Sequence, residues 1–82
     1  MMEAYRNLDT FPTLFSRFLE AEGLTETGVA ARTGRSQSAV SNWRTGNSPP
    51  CDSSMIQLAV CYPDWADRFL EARLVDLRRT YE

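Results

Sequence analysis

The sequence predicts an all-α fold of five helices. Apolar residues recur at three- and four-residue intervals, with no strand-like alternation. Glycines, prolines and small polar residues divide the chain into pieces of helical length. The chain has 82 residues and 43% hydrophobic content, which suits one small domain. A chain of this size buries about 60–65% of its extended surface, so added core from a second copy would help it.

Each element follows from local signals. Residues 1–9 are expected to be loosely packed. A first helix begins near Phe11 or Pro12, with Thr10 as N-cap and Pro12 in the first turn, where a missing N–H costs nothing. Leu14, Phe15, Phe18 and Leu19 form its apolar stripe, Gly23 ends it, and Leu24 turns back to the core. Thr25 caps a second helix from Glu26 to about Thr33, with Val29 and Ala30 facing inward. Gly34 makes the turn. Ser36 caps a third helix from Gln37 to about Thr45, closed by Gly46. Ala39, Val40 and Trp43 are its buried side; Gln37, Ser38, Ser41 and Asn42 lie on the other.

No helix can cross Asn47-Ser48-Pro49-Pro50. Asp52 or Ser53 caps a fourth helix through Met55, Ile56, Leu58, Ala59 and Val60. After a break at Tyr62-Pro63-Asp64, a fifth helix runs from about Asp64 to near Tyr81. Its apolar positions are Trp65, Phe69, Leu70, Leu74, Leu77 and Tyr81. The last four make one continuous stripe with i, i+4, i+7, i+11 spacing. That stripe has two possible destinations: a dimer surface, or the first helix beside Phe15 and Phe18.

Composition narrows the function. No apolar run approaches the ~20 residues of a membrane span. The start, MMEAYRNLDT, has neither a basic opening nor an apolar stretch, so no secretory signal is expected and the cytoplasm is the expected location. Cys51 and Cys61 are not a close pair and there is no histidine, so we expect reduced thiols, no zinc site and no cofactor. Without a histidine base or a recognisable catalytic spacing, an enzyme is not expected either.

Charge is unevenly placed. The chain carries a net charge of −2, yet from Thr27 to Cys51 it has three arginines (Arg32, Arg35, Arg44) and no acid. The remainder holds six arginines and eleven carboxylates. Every cation is an arginine, whose planar fork suits phosphate and guanine. A local positive charge with amide side chains is what a DNA-reading surface requires.

The spacing within this window is also constrained. Two closely crossing helices need a small inward residue, and Ala30 supplies it. The turn needs a residue tolerant of positive φ, and Gly34 stands four positions later. The second helix needs a buried anchor, and Val40 and Trp43 provide one. The segment 25–46 resembles the helix-turn-helix of the phage lambda-type repressor and Cro (Xre-like) families on Thr25, Ala30, Gly34, Ser36-Gln37-Ser38, Val40, Trp43, Gly46 and Pro49-Pro50. The resemblance extends from about Leu14 to Val60. Three positions depart from the family pattern: Thr33 replaces a usual Leu, Arg35 a usual Val, and Glu26 a frequent Gln that approaches phosphate.

The resemblance implies a lambda-repressor-like domain whose third helix enters the major groove. It places Gln37, Ser38 and Asn42 at base edges, where Gln and Asn can bond adenine bidentately. It places Ser36, Ser41, Arg44, Asn47 and Arg32 at the DNA backbone, and Arg35 at a phosphate or a guanine. The implied protein is a small phage or prophage transcriptional regulator. It binds a palindromic operator as a homodimer and occludes the promoter, with no small-molecule effector. A dimer built on Leu70, Leu74, Leu77 and Tyr81 would supply the second reading helix. The alternative is a protein-interaction module, or a phage-encoded inhibitor, on the same scaffold.

Overall fold

The capping residues set most of the helix boundaries. The computed structural model describes residues 10–81, with side chains described through Arg78. The expectation for residues 1–9 and the side chain of Tyr81 lie outside the described residues. The described residues form an all-helical fold. In order, the helices are α1 (Phe11–Glu22), α2 (Glu26–Thr33), α3 (Gln37–Thr45), α4 (Asp52–Cys61), a 3-10 turn (Pro63–Trp65) and α5 (Ala66–Tyr81). Thr25 Oγ1 accepts from the Gly28 N–H at 3.0 Å, and Ser36 Oγ from the Ala39 N–H at 3.1 Å, as the capping pattern predicts.

Two helix starts differ from expectation. Thr10 occupies the N-cap of α1 but its hydroxyl accepts no backbone N–H. The Phe11 N–H instead donates to the Asp76 carboxylate of α5, 3.4 Å from Oδ1 and 3.3 Å from Oδ2. A carboxylate there opposes the positive end of the helix dipole. Cys51, rather than Asp52 or Ser53, stands at the N-cap of α4. The last helix is also preceded by a 3-10 turn at Pro63–Trp65 rather than starting at Asp64.

α1 lies between α3 and α5, α2 packs on α3 and α4, and α4 packs on α5. The core is aromatic at its centre. Phe11, Phe15, Phe18 and Phe69 are fully buried, with Val29, Val40 and Leu58 around them. Phe15 meets the edge of Trp43 at 5.9 Å and 79°. Phe18 meets Phe69 at 5.1 Å, Trp65 at 5.2 Å and Tyr62 at 4.9 Å, each near perpendicular. Such edge contacts add about 0.5–1.5 kcal/mol each beyond area burial.

This packing removes one of the two destinations of the α5 stripe, the first helix. Phe69, Ala72 and Val75 are the residues α5 buries, and Phe69 is the one beside Phe15 and Phe18. Leu70, Leu74 and Leu77 remain 53%, 56% and 42% exposed. At about 100° per residue they lie roughly 165° around the helix from the buried face. On α4, Ile56 and Val60 are exposed too, while Ser54 and Leu58 take the buried side.

The two faces of α5 therefore differ in cost. Phe69→Ala is expected to destabilise the fold by about 3–5 kcal/mol. Leu70→Ala, its exposed neighbour, is expected to stay within about 0.5 kcal/mol of the parent. Urea unfolding of the two variants at a concentration that keeps the chain monomeric measures both.

Candidate functional site

Val40 and Trp43, 0% and 3% exposed, hold α3 against the core. Its opposite side therefore faces out. The turn that leads into it is closed by Gly34 at φ 72°. A Cβ there would meet nothing within 4 Å, so the requirement for glycine is conformational and not steric. At the far end, Gly46 has φ 87° and a Cβ would come within 3.3 Å of the Pro12 ring. α3 is thus seated on the start of α1 at its C-terminal end and on α2 through the turn. Thr33, 5% exposed, returns its hydroxyl to the Val29 carbonyl at 2.8 Å, which lets a polar residue occupy a position just before the turn.

Gln37 and Ser38 are exposed on this outer surface, and Ser41 and Asn42 are half-buried on it. Asn42 leans towards a shallow cleft of about 440 Å³ between α3 and the start of α4, which Arg35, Ser36 and Cys51 also line. Ser36 is engaged as the α3 cap, and Asn47 is exposed in the loop beyond Gly46. Thr45, exposed one turn beyond Ser41 and two beyond Ser38, joins the same outer row. Its hydroxyl points back to the Asn42 carbonyl at 3.4 Å. Sequence patterning gave it only the role of a helix end.

The three arginines of the acid-free window are each engaged within the chain. Arg44 forms an ion pair with Glu26, the first residue of α2, so the one departure that threatened a phosphate contact neutralises a neighbouring cation. Arg35 reaches across the turn, and its Nη2 donates to Ser53 Oγ at 3.1 Å, while its Nε is buried without a partner. Arg32 lies over the Tyr62 ring at 5.2 Å, on the α4 side and among different neighbours from Arg35 and Arg44. The fold therefore gathers Arg35, Ser36 and Asn42 at one cleft and Gln37, Ser38 and Ser41 beside it. Arg32 is tied elsewhere, and Leu70, Leu74 and Leu77 belong to another helix.

Sequence reasoning did not anticipate the arrangement around Cys51. Its exposed sulfur lies 3.3 Å from Ser53 Oγ and 3.4 Å from Ser54 Oγ. The Ser53 hydroxyl, then the Ser54 hydroxyl and the backbone N–H of Ser54, favour the thiolate and lower its pKa to about 6. Ser53 thus links the sulfur to the Arg35 guanidinium. Among the described residues no cluster of His, Cys, Asp or Glu could hold a metal ion, and no helix is long and apolar enough to cross a membrane.

Comparisons with protein-family models, with curated proteins and with solved structures find no match for this chain.

The thiol geometry sets a pH profile. Only the thiolate is nucleophilic, so alkylation of Cys51 by iodoacetamide is expected to reach half its maximal rate near pH 6, as the lowered pKa requires. Ser53→Ala removes the largest stabiliser of the thiolate and moves that midpoint upward. Mass spectrometry of the labelled peptides follows Cys51 separately from Cys61.

Proposed function

We propose that this chain is a small, sequence-specific DNA-binding transcriptional regulator of the phage repressor and Cro kind. In this reading it binds a palindromic operator as a homodimer and represses by occluding the promoter. One observation carries the reading. α3 is anchored by Val40 and Trp43 and presents Gln37, Ser38, Ser41 and Asn42 along its outer side, where no hydrogen bond to the rest of the described chain occupies their side chains. Amide and hydroxyl groups held ready on a rigid helix are what base-edge recognition needs. Gln37 and Asn42 read bases in this proposal, Ser38 assists, and Ser36, Ser41, Asn47 and Arg35 meet the backbone.

Electrostatics give such a protein a modest grip. Glu26 offsets Arg44, and Arg32 is drawn to Tyr62, so each copy neutralises few phosphates. Two copies reading sites one helical turn apart, about 34 Å, recover the affinity. The same neutralised arginines favour a second reading, in which this surface binds another protein instead of DNA.

Anisotropy of labelled DNA from the gene's own promoter, at two salt concentrations, separates the readings. The regulator shows a sequence-dependent signal that weakens with salt, with a slope of roughly −0.9 per phosphate contacted. Gln37→Ala and Asn42→Ala each cost about 1–3 kcal/mol on the specific site and little on random DNA. Absent or salt-insensitive binding favours the protein-binding reading. Glu26→Gln releases Arg44 from its ion pair and is expected to steepen the salt slope by about 0.9. An unchanged slope assigns Arg44 no role at the phosphates.

A further inference from the structure

We propose that the cleft between α3 and the start of α4 is a thiol-exchange site, at which Cys51 forms a mixed disulfide with a small thiol that carries carboxylates. The site stands on the cleft alone, whether the partner of α3 is DNA or a protein.

The cleft holds more hydrogen-bond donors than the fold uses. Arg35 Nε is buried without a hydrogen-bond partner. Trp43, 3% exposed, lines the same space, and its indole N–H donates to no described residue. The half-buried side chain of Asn42 lines it too, again without a partner among the described residues. Buried donors are rarely left unpaired, because an unmade hydrogen bond there carries the full desolvation cost. Convergent donors in a cleft of about 440 Å³ suit a small ligand with several acceptor oxygens. Among the described residues that line the cleft none is acidic and Arg35 is the only cation, so a carboxylate is favoured over a neutral acceptor.

Cys51 adds a bond-forming group to the same cleft. Its sulfur is exposed. Ser53 Oγ stands 3.3 Å from that sulfur and 3.1 Å from Arg35 Nη2, so the guanidinium lies one hydroxyl away. A carboxylate a few bonds from a sulfur joined to Cys51 is then within reach of Arg35. The Ser53 and Ser54 hydroxyls lower the thiol pKa to about 6, which makes the thiolate the main form at neutral pH. Cys61, at the opposite end of α4, faces the Arg32 carbonyl at 3.4 Å instead of hydroxyl donors.

The exchange balances without a further reactant. The Cys51 thiolate attacks one sulfur of a small disulfide. A new S–S bond forms as the old one breaks, and the departing half leaves as a thiolate with the electron pair and takes a proton from water. Cys51 is oxidised and half of the small disulfide is reduced. An excess of the small thiol reverses the step.

The test uses the full, reduced chain at neutral pH with glutathione disulfide, whose halves carry carboxylates, and separately with hydroxyethyl disulfide, which is uncharged. Peptide mass spectrometry follows Cys51 and Cys61 in the same molecules. Glutathione disulfide should modify Cys51 at least about tenfold faster than Cys61. The informative quantity is the ratio of the two reagents' rates at Cys51, because a changed thiol reactivity or a loosened fold moves both rates together. Arg35→Gln should lower that ratio about threefold, the worth of one half-exposed ion pair. Salt at about 1 M, which screens charges beyond about 3 Å, should lower it similarly in the parent and needs no variant. Equal rates at the two cysteines, or a ratio indifferent to either Arg35→Gln or salt, overturns the proposal.

Discussion

Everything that α3 presents to solvent depends on the contact between Trp43 and Phe15. Their rings meet edge to face, 5.9 Å apart, at the point where α3 crosses α1. Phe15 also stacks on Phe11 and touches Phe18, and Phe18 meets Phe69 of α5 at 5.1 Å. α1 is therefore a plate of phenylalanines with α3 on one side and α5 on the other. Aromatic rings pack in few relative orientations, so this plate fixes the rotation of both helices as well as their position. Turning α3 by one residue would expose Trp43 and bury Ser38 or Asn42 without partners, a change that costs at both ends.

The same plate explains why α5 has two apolar faces. Only one can meet Phe15 and Phe18, and the smaller residues Ala72 and Val75 let α5 approach closely enough for Phe69 to insert. The Asp76 carboxylate then reaches the first N–H of α1, joining the two helices by a polar contact as well as an apolar one. The leucines on the opposite side contribute nothing to this arrangement. Leu70, Leu74 and Leu77 stay largely exposed as a result.

Around α3 the polar side chains divide into engaged cations and available amides. The arginines bind Glu26, Ser53 and the Tyr62 ring, whereas the side chains of Gln37, Ser38 and Asn42 have no hydrogen-bond partner among the described residues. The proposed DNA reading thus rests on the geometry and chemistry of one helix more than on charge. It also places the low-pKa thiol of Cys51 in the cleft shared by Arg35 and Asn42.

The caps at Thr25 and Ser36, the turn at Gly34 and the inward positions Val29, Ala30, Val40 and Trp43 were legible because caps, turns and periodicity act over a few residues. The sequence alone determined the number and order of helices and which side of α3 would face outward. It did not determine which face of α5 is inside, since Phe69 and Leu70 are both apolar and periodicity weighs them alike. Nor did it pair Glu26 with Arg44, separated by 18 residues, or Phe11 with Asp76, separated by 65. Those contacts, and the placement of Cys51 beside Ser53 in the cleft of Arg35, exist only once the helices are packed. Each needs groups from separate elements at hydrogen-bonding distance, and only the packed aromatic core sets those distances.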